Sequence, residues 1–494
     1  MLISEAFKDQ EIFVTGGTGF VGKALIEKLL RSCPTLGKIY VLVRPKKGVP
    51  VEARLEELLN SKLYNRLRSE QPQTLSKVVA IAGDVMELGL GISEKDLQRL
   101  RNVTVVYHSA ASVRFDDPLR EAILMNTRGT HELIKLALHW KKLKAFVHVS
   151  TTYSNPTELE VEERIYPPYA DWRTTIKLAE NYDAETLDIY NLKYGNFQPN
   201  TYTFTKSLAE HVANDYKDQL PIYIFRPSIV ISSLEDPVPG WADNFNGPTG
   251  MLVACGVGIL RSQNCDPYII ADFVPVDVVV RGLIISAYKY LIKAPVKGKD
   301  IDVINCATAN ISPVTMGQVI EIGKRCIREN PFEKTLWLPG GSITLCPVLH
   351  FVRFITMHIM MAIVVDSLLR LGNEKPFLLK LQRRIFAAFQ ALQVFAVTEW
   401  HFQNDRFRAL HDIVPPKEIP CFGFMHNSNI NYVEFFQNGI RGAKEYLMHE
   451  SPKSSSGALL RIKIFYVLDY LCRAVVYGFL LRLIYRFVMR TFIS

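Results

Sequence analysis

The feature that most constrains the fold is a glycine-rich turn between a predicted strand and a predicted helix near the start of the chain. Residues 11–15 are β-prone, and the turn that follows reads Gly16-Gly17-Thr18-Gly19-Phe20-Val21-Gly22. Glycines at this spacing let the backbone turn tightly, approach a pyrophosphate closely and pack the helix against the sheet. Because the following helix would direct its N-terminus at the phosphates, the turn predicts a dinucleotide-binding site.

Apolar runs alternate with helical stretches through the first 150 residues. The runs lie at 39–43, 78–84, 103–108 and 145–150. Nearly continuous apolar runs are typical of parallel strands that are buried on both faces. We therefore predict an α/β fold with a Rossmann-type, doubly wound parallel sheet.

The composition of the chain changes after the first 150 residues, and these changes indicate separate parts. An acidic insertion with several Tyr and Pro residues interrupts the alternation, which stops near residue 330. An apolar run at 345–365 is long enough to span a bilayer or to lie in its interface. The predicted parts are a nucleotide-binding domain at 1–290 with an insertion at 155–200 and substrate-binding loops at 225–275, the rest of the substrate part at 291–344, a mainly helical domain at 345–450, a linker at 451–458 and a membrane-associated or transmembrane segment at 459–494.

The residues after the second predicted strand favour one cofactor. NAD sites commonly place an acid here, whereas this chain has Arg44, Lys46 and Lys47, which would accommodate a 2′-phosphate. This favours NADPH, and a solvated basic loop is the alternative. Asp84 is a candidate for the adenine edge, although an ordinary turn aspartate would look the same. The other candidate cofactor contacts are Val85, Ser109, Ala110, Ala111, Tyr202, Lys206 and Pro227.

Tyr202 and Lys206 are the candidate reducing centre. Their spacing of four places both side chains on one face of a helix. A cation there would lower the phenol pKa from its usual value of about 10 and ease proton donation to a developing alkoxide. Such pairs also arise by chance, but this one follows a nucleotide-binding turn and a cluster of hydroxyls.

The hydroxyl cluster is Ser150-Thr151-Thr152, at the end of the fifth predicted strand. A hydroxyl there can bond a carbonyl oxygen, and we favour Thr151 with Ser150 second. Asn126 could hold a water that links Lys206 to solvent. We expect no metal, because His131-Glu132 lacks the second histidine of a zinc motif. The eight scattered cysteines suit reduced thiols in a chain that faces the cytosol.

These residues together resemble the extended short-chain dehydrogenase/reductase superfamily. Longer stretches are similar to the alcohol-forming fatty acyl-CoA reductases, and the long hydrophobic C-terminus looks most like the insect branch. The similar stretches lie at 199–210, 225–230, 239–250, 272–277 and 398–402. Two positions depart from the family pattern. Thr152 stands where alanine is usual and Arg281 where asparagine is usual, which leaves the substrate range open.

The resemblance implies a two-step reduction of a long- or very-long-chain fatty acyl-CoA. NADPH would reduce the thioester with a proton relay centred on Tyr202, and loss of coenzyme A would leave a fatty aldehyde. A second NADPH would reduce the aldehyde to a primary alcohol at the same centre. A hydroxysteroid or nucleotide-sugar enzyme of the superfamily, or a catalytically silent NADP-binding lipid scaffold, is the alternative.

The positive charge of the chain is concentrated at its C-terminus. The formal net charge is +9. Residues 451–494 contain seven Lys or Arg residues and one acid, Asp469, interleaved with apolar residues. This pattern suits a membrane surface and argues against a nucleic-acid partner. Asp469 and Arg473 are four apart and could partly neutralise each other.

The two C-terminal apolar segments predict membrane lipid as a partner, although a buried core helix is the alternative for each. The first predicted strand starts near residue 11, so we expect no cleaved leader and a catalytic domain that faces the cytosol. On family grounds the endoplasmic reticulum is the first expectation and the peroxisome the second. Whether the chain forms a homodimer is left open.

Overall fold

The computed structural model describes residues 1–194, 199–295, 298–424 and 430–492. Parts of the predicted 155–200 insertion and the last two residues of the predicted 459–494 segment therefore lie outside the described residues. In chain order the strands are β1 (Ile12–Thr15), β2 (Ile39–Val43), β3 (Val78–Ala82), β4 (Val105–His108), β5 (Ala145–Val149), β6 (Glu160–Val161), β7 (Ile222–Pro227), β8 (Ile229–Ile231), β9 (Ser262–Asn264), β10 (Phe273–Pro275), β11 (Val303–Cys306), β12 (Ser342–Thr344) and β13 (His401–Phe402).

The α-helices outnumber the strands. In chain order they are α1 (Ile3–Ala6), α2 (Phe20–Ser32), α3 (Val51–Leu59), α4 (Asn65–Glu70), α5 (Glu94–Arg99), α6 (Leu119–Ala122), α7 (Gly129–Ala137), α8 (Trp172–Asn181), α9 (Ala184–Tyr194), α10 (Thr201–Asp215), α11 (Gly247–Gly256), α12 (Val276–Ile292), α13 (Met316–Glu329), α14 (Pro347–Phe354), α15 (Met360–Leu371), α16 (Leu378–Val397), α17 (Asp405–Asp412), α18 (Ile419–Phe422), α19 (Tyr432–Gly442) and α20 (Ser456–Phe492). Short π-helical turns at Ile123–Arg128, Ile355–Ile359 and Ala443–Leu447 join some of them.

Seven strands form one parallel sheet, in the order β11-β7-β5-β4-β1-β2-β3. The doubly wound parallel sheet predicted from the sequence is confirmed. The direction of winding reverses between β1 and β4, and in open α/β sheets ligands bind beyond the carboxyl ends of the strands at such a point. Sequence analysis did not identify β7 and β11. The predicted domain boundary at 290 leaves β11 outside the nucleotide-binding domain, although this strand completes the sheet.

The sheet is buried because its strands are apolar on both faces. Every residue of β1, β2 and β4 is buried. Side chains from the strands and from covering helices join in one hydrophobic cluster, which includes Phe13, Val106, Phe146, Leu133 and Leu208. This packing holds the loops at the carboxyl edge of the sheet.

The chain divides into two compact units. The first contains residues 1–241, 269–314 and 389–430, and it includes the large sheet and the pairs β8–β10 and β6–β13. The second contains residues 242–268, 315–388 and 431–494, and it includes the pair β9–β12. A core of its own in the second unit is formed by Val253, Val257, Ile327, Phe332 and Ala443.

Helix α14, the π-turn at Ile355–Ile359 and α15 form one continuous helix, Pro347–Leu371, called here the 347–371 helix. Among the described residues it is the one helix long and apolar enough to cross a membrane, with a mean hydropathy of 2.0 in its apolar window. Only 17% of the 18-residue apolar stretch within this helix is buried. The segment is therefore not the buried core helix that the sequence left open.

Candidate active site

The glycine turn joins β1 to α2 and touches the end of β4. Gly16 has a φ of +73°, and a Cβ there would lie 2.6 Å from the Ala110 nitrogen and 2.7 Å from the Ser109 carbonyl carbon. These neighbours are backbone atoms and cannot rotate away, so only glycine fits. A Cβ at Gly22 would likewise overlap the Gly16 carbonyl oxygen. The structure therefore brings the predicted turn and the predicted Ser109–Ala111 segment together.

Helix α2 begins at this turn without a capping side chain. Its N-cap is Gly19, which has no side-chain hydrogen bond to offer, and the first turn contains no acid. The first N–H groups of the helix and the positive end of its dipole thus meet no acidic side chain from the helix itself. Together with the glycines, these groups fit the diphosphate of a dinucleotide.

The remaining predicted cofactor residues have different environments. Arg44, Lys46 and Lys47 are exposed just beyond the end of β2. The Asp84 carboxylate accepts a hydrogen bond of 3.0 Å from the Met86 amide, which is a turn role. Val85 and Pro227 are buried, Val85 in the core beside the sheet and Pro227 at the end of β7.

Helix α10 presents the candidate reducing centre. Asn200 caps the helix by accepting a hydrogen bond of 2.9 Å from the Thr203 amide. Tyr202 lies in the first turn and shares a hydrogen bond with the Thr151 side chain. Lys206, one turn later, is buried and donates to the Val149 carbonyl oxygen at 2.6 Å. The structure thus places Tyr202 and the favoured Thr151 together at the end of β5. Lys206 lies one turn after Tyr202 on α10.

The ionisation of this centre differs from the expectation. Burial raises the pKa of Tyr202 to about 12, and the hydrogen bond with Thr151 opposes this only in part. The predicted lowering by Lys206 is not found, because burial and the Thr151 hydrogen bond are the causes of the shift. Burial lowers the pKa of Lys206 to about 8, against the opposing field of Glu210. Tyr202 is therefore a protonated phenol near neutral pH.

Ser150 has a different partner from Thr151. Its hydroxyl donates to the Glu210 carboxylate at 2.6 Å. Arg226 binds the same carboxylate through two nitrogens at 2.8 and 2.7 Å, and both ions are buried. Burial raises the pKa of Glu210, but Arg226 and two serine hydroxyls outweigh it, so the net shift is downward. No separate role was predicted for Glu210, although it follows Lys206 at the same four-residue interval as Lys206 follows Tyr202.

Asn126 lies in the π-turn at Ile123–Arg128. Its side-chain nitrogen donates to the Thr205 hydroxyl at 2.9 Å and to the Ser112 carbonyl at 3.2 Å. Its side-chain oxygen accepts from the Ser112 amide at 2.9 Å. The side chain is thus held between two segments, and its predicted role in binding a water stays a prediction.

Two histidines lie below the centre on adjacent strands. His108 in β4 is hydrogen-bonded to the hydroxyls of Thr15 and Thr130, at 2.7 and 2.9 Å. Its ring centroid is 5.4 Å from that of His148 in β5. Burial, and then the charge of Lys206, lowers the pKa of His108 to about 3 and that of His148 well below its usual value. Both rings are therefore neutral near neutral pH.

An aromatic wall adjoins Tyr202; we use that name for Phe115, Phe395 and Tyr153. The Phe115 ring lies 5.7 Å from the Tyr202 ring and 5.5 Å from the Phe395 ring, centroid to centroid. Tyr153 meets Phe395 edge to face at 5.1 Å. Phe395 comes from α16, about 190 residues after Tyr202, and no local sequence signal indicated that it would reach this centre.

The two departures from the family pattern have structural consequences. Thr152 is buried, and its hydroxyl has no hydrogen-bond partner among the described residues. Arg281 is buried in α12 and donates to the Gly423 carbonyl at 2.8 Å. It also pairs with Glu235 at 3.3 Å. Arg281 therefore ties together segments of the first unit.

Comparison with known proteins decides the family. Two family profiles, both described as male sterility protein, match residues 14–283 and 357–450. Fatty acyl-CoA reductase 1 of Xenopus laevis is 36% identical over 449 residues, which cover 91% of this chain and 86% of the relative. This chain belongs to the fatty acyl-CoA reductase family. The fatty acyl-CoA reductase wat of Drosophila melanogaster is 35% identical and covers 96% of this reductase and 90% of its own length. The predicted NAD(P)-dependent oxidoreductase of this family is thereby confirmed.

Solved structures agree on the fold of this fatty acyl-CoA reductase. The reductase domain of a non-ribosomal peptide synthetase from Mycobacterium tuberculosis is similar, with a TM-score of 0.57 and 19% identity. The similarity covers 90% of this chain and 95% of that one. At this identity the similarity concerns the fold alone.

Proposed function

We propose that this reductase uses NADPH to convert a long- or very-long-chain fatty acyl-CoA to a primary alcohol through an aldehyde, with release of coenzyme A. The observation that carries the proposal is the convergence of Tyr202 and Thr151 at the end of β5, on the edge of the parallel sheet that also holds the glycine turn, in a chain of this family. The cofactor, when bound, supplies hydride to the carbonyl carbon in each of two reductions.

The protein's own contribution to the first reduction is to bind the carbonyl oxygen and protonate it. The Thr151 and Tyr202 side chains are hydrogen-bond partners, so both hydroxyls can donate to one carbonyl oxygen placed beside them. A phenol with a pKa of about 12 is fully protonated near neutral pH and can give its proton to the developing alkoxide. The product of this step is a hemithioacetal, which breaks its carbon–sulfur bond to give an aldehyde and the coenzyme A thiol.

The second reduction uses the same groups on the aldehyde. Tyr202 must first regain a proton, and Lys206 is the nearest buried cation on its helix. Glu210, held by Arg226 and Ser150, supports the charge of Lys206 from one turn further along. Each reduction consumes one hydride and one proton, so the alcohol requires two cofactor molecules and two proton deliveries.

We assign the apolar chain of the substrate to the aromatic wall. Phe115 touches Tyr202, so the carbon next to a carbonyl bound at Tyr202 lies within reach of these rings. Phe395→Ala should broaden the range of chain lengths and raise KM for the preferred chain several-fold, while kcat changes less. Val394→Ala, on the exposed side of the same helix, is the matched control. An unchanged chain-length profile in Phe395→Ala would remove the wall from the substrate path.

The central experiment measures NADPH oxidation by the purified protein with acyl-CoA from palmitoyl to very long chains, with extraction of the lipid product. We expect alcohol at one mole for each two moles of NADPH oxidised. Tyr202→Phe should lower the rate about 10²–10⁴-fold. The control is Tyr216→Phe. The Tyr216 hydroxyl is hydrogen-bonded to His131 at 3.2 Å, away from the reducing centre, so this variant should retain the wild-type rate. Acyl-CoA consumption by Tyr202→Phe at the wild-type rate contradicts the proposal.

The preference for NADPH is a proposal supported by the basic group at the end of β2. A charge-assisted hydrogen bond contributes about 1.5–3 kcal/mol, which corresponds to about 10–100-fold in affinity. Arg44→Asp should therefore weaken NADPH binding by about this factor and leave NADH nearly unaffected. Lys141→Asp, an exposed charge reversal before β5, controls for net charge. Equal losses for both cofactors would remove Arg44 from the 2′-phosphate site.

We also propose that the protein resides on a membrane, with its catalytic part in the cytosol. The supporting feature is the exposed apolar surface of the second unit. The endoplasmic reticulum is the first candidate and the peroxisome the second, and the overall layout favours the insect branch. Fractionation of cells that express the full chain, with protease protection of residues 1–240 as the readout of sidedness, tests this assignment.

A further inference from the structure

We propose that the 347–371 helix does not cross the membrane but lies in the plane of one leaflet, where it forms an apolar docking face together with the first half of α20. This goes beyond the proposed function, which requires only that the protein reach a membrane. The inference rests on how the helix is attached to the second unit.

The outer side of the 347–371 helix is apolar and exposed along its whole length. Exposure reaches 72% at Val348, 56% at Met360 and 83% at Leu371, near the start, middle and end. Exposed apolar patches of this extent on a folded unit mark an interaction surface. The exposed apolar residues are Val348, Leu349, Phe351, Val352, Ile355, Met357, Met360, Ile363, Val364, Leu368 and Leu371.

The inner side is a narrow stripe that includes two polar residues. Phe354, His358, Ala362 and Asp366 follow at intervals of four and are the buried residues of the helix. His358 Nε2 accepts a hydrogen bond of 3.1 Å from the Arg261 amide. The Phe354 ring packs on Phe386 of α16, with centroids 4.8 Å apart. A helix surrounded by lipid could not satisfy such polar groups in this way.

Both ends of the helix are fixed to the same compact unit. Before its start, β12 pairs with β9, and the His350 ring is hydrogen-bonded to the Ser262 hydroxyl at 3.2 Å. Near its end, Asp366 accepts three amide hydrogen bonds of 2.9–3.1 Å from residues 377–379. A spanning helix places its ends about 30 Å apart on opposite sides of the hydrocarbon core. A helix attached at its start, middle and end to one unit lies along that unit.

The first half of α20 is attached to the same segment. Asp469 is buried and accepts hydrogen bonds from Arg261 at 2.6 Å and from the Trp337 ring nitrogen at 3.1 Å. Asp469 therefore has partners outside α20, and its predicted pairing with Arg473 stays a prediction because the Arg473 side chain lies outside the described residues. Arg261 therefore contacts both apolar helices, through its amide and its guanidinium. The outer positions of this half of α20, such as Leu460, Val467 and Leu471, are exposed.

The positive charges near this face favour an anionic lipid surface as its binding partner. Residues 345–397 contain six Lys or Arg residues and two acids, and one of those acids is the buried Asp366. The exposed basic residues lie in the last turn of the helix, in the turn that follows it and in the first part of α16. Basic side chains beside an apolar helix face are the pattern of in-plane binding to anionic membranes. These residues are Arg370, Lys375, Lys380, Arg383 and Arg384.

The test measures the depth of three positions in the full-length protein. The exposed Cys346 and Cys472 are replaced by serine. Single cysteines are then introduced at Val348, Met360 or Leu371 and labelled with an environment-sensitive dye. The proteins are bound to phosphatidylcholine vesicles with phosphatidylserine that carry lipid-borne quenchers at several depths. An in-plane helix gives all three labels the same shallow depth, about 5–10 Å into the interface.

Three other results would overturn the inference. A Met360 label that lies much deeper than the labels at both ends indicates a crossing helix. If the lipid quenchers do not reach the labels and the protein self-associates, a second copy of the chain covers the apolar face. Vesicle binding that is equally strong with and without phosphatidylserine would contradict an anionic lipid surface as the binding partner. We expect Arg383→Glu with Arg384→Glu to weaken vesicle binding about tenfold or more. None of these measurements uses acyl-CoA, so a failure here is separate from a failure of the proposed reductase.

Discussion

The strands of the large sheet and the 347–371 helix have similar apolar sequences but opposite exposure. Ile12, Phe13 and Val14 of β1 are completely buried, whereas the apolar residues on the outer side of the helix are largely exposed. Buried polar groups, by contrast, occur in both regions. Around the sheet, Lys206, Glu210 and Arg226 are inside, and in the helix the buried stripe contains His358 and Asp366.

Hydrophobicity alone therefore did not decide which side of these elements faces inward. Burial followed the positions where each polar group found a specific partner, such as Arg226 for Glu210 or the Arg261 amide for His358. An unpartnered buried polar group costs more than an exposed one, so partners determine the inner face. Mutations that remove a buried partner should therefore have large effects, and mutations on the exposed apolar side should have small effects on stability.

The largest effect is expected from Glu210→Gln. The variant leaves the buried Arg226 without an opposite charge, and breaking a buried pair in this way costs about 3–5 kcal/mol. Glu70→Gln is the matched control, because it removes the same group from a half-exposed pair with Arg66 at 2.7 Å. The control should cost about 0–1 kcal/mol. Denaturant unfolding measures both, and equal losses would show that burial does not matter for this pair.

The next effect is expected from Gly16→Ala. The added methyl meets backbone atoms of Ser109 and Ala110, and its φ of +73° is unfavourable for alanine. Gly48→Ala is the control, because Gly48 has a φ of +77° but nothing within 4 Å of the added atom. The difference between the two variants isolates the clash and should be about 1–3 kcal/mol. Thermal unfolding and NADPH titration measure it, and no difference would mean that the turn can move away from β4.

The pH dependence of the reaction tests the interior charge. The groups that face Lys206 are Glu210 on its own helix and the neutral His108 and His148 on β4 and β5. With a pKa of about 8, the ammonium group loses its proton as the pH rises through that value. The rate should then fall about tenfold per pH unit above it. Glu210 raises the pKa of Lys206, so Glu210→Asp, which keeps the charge, should retain the descending limb.

Glu210→Gln should move the fall of the rate at high pH to lower pH, because the variant loses the negative charge that raises the pKa of Lys206. Rates are measured at saturating acyl-CoA and NADPH across the range in which circular dichroism shows the variant folded. A limb at the same pH in wild type and Glu210→Gln would remove Glu210 as the support of the Lys206 charge.

The smallest effect is expected from Leu368→Ser on the outer side of the 347–371 helix. The side chain is already 61% exposed, so its replacement should change the free energy of unfolding by less than about 0.5 kcal/mol. Ala362→Asp on the buried side of the same helix is the contrast and should unfold the second unit. A large loss in Leu368→Ser without lipid would indicate that this side packs against protein.

The catalytic centre shows how far local patterns reach. The glycine turn and the four-residue spacing of Tyr202 and Lys206 are encoded by short segments, and sequence analysis placed both. It also favoured Thr151, which the structure brings to Tyr202. It did not find that Ser150 is bound by Glu210, because that contact joins segments 60 residues apart. The predicted direction of the Tyr202 pKa shift was wrong, since burial outweighs the hydrogen bond with Thr151.

Local patterns were enough to predict the class of the sheet, the nucleotide-binding turn and the family, because periodicity and glycine spacing can be recognised in short segments of the chain. Tertiary packing was needed to bring Phe395 to Phe115, the neighbour of Tyr202, and to bind Glu210 to Arg226 and Ser150. It also decided that the apolar 347–371 segment is held along one unit by His358 and Asp366. These outcomes depend on which distant groups supply a hydrogen bond or an opposite charge, and no run of neighbouring residues records that.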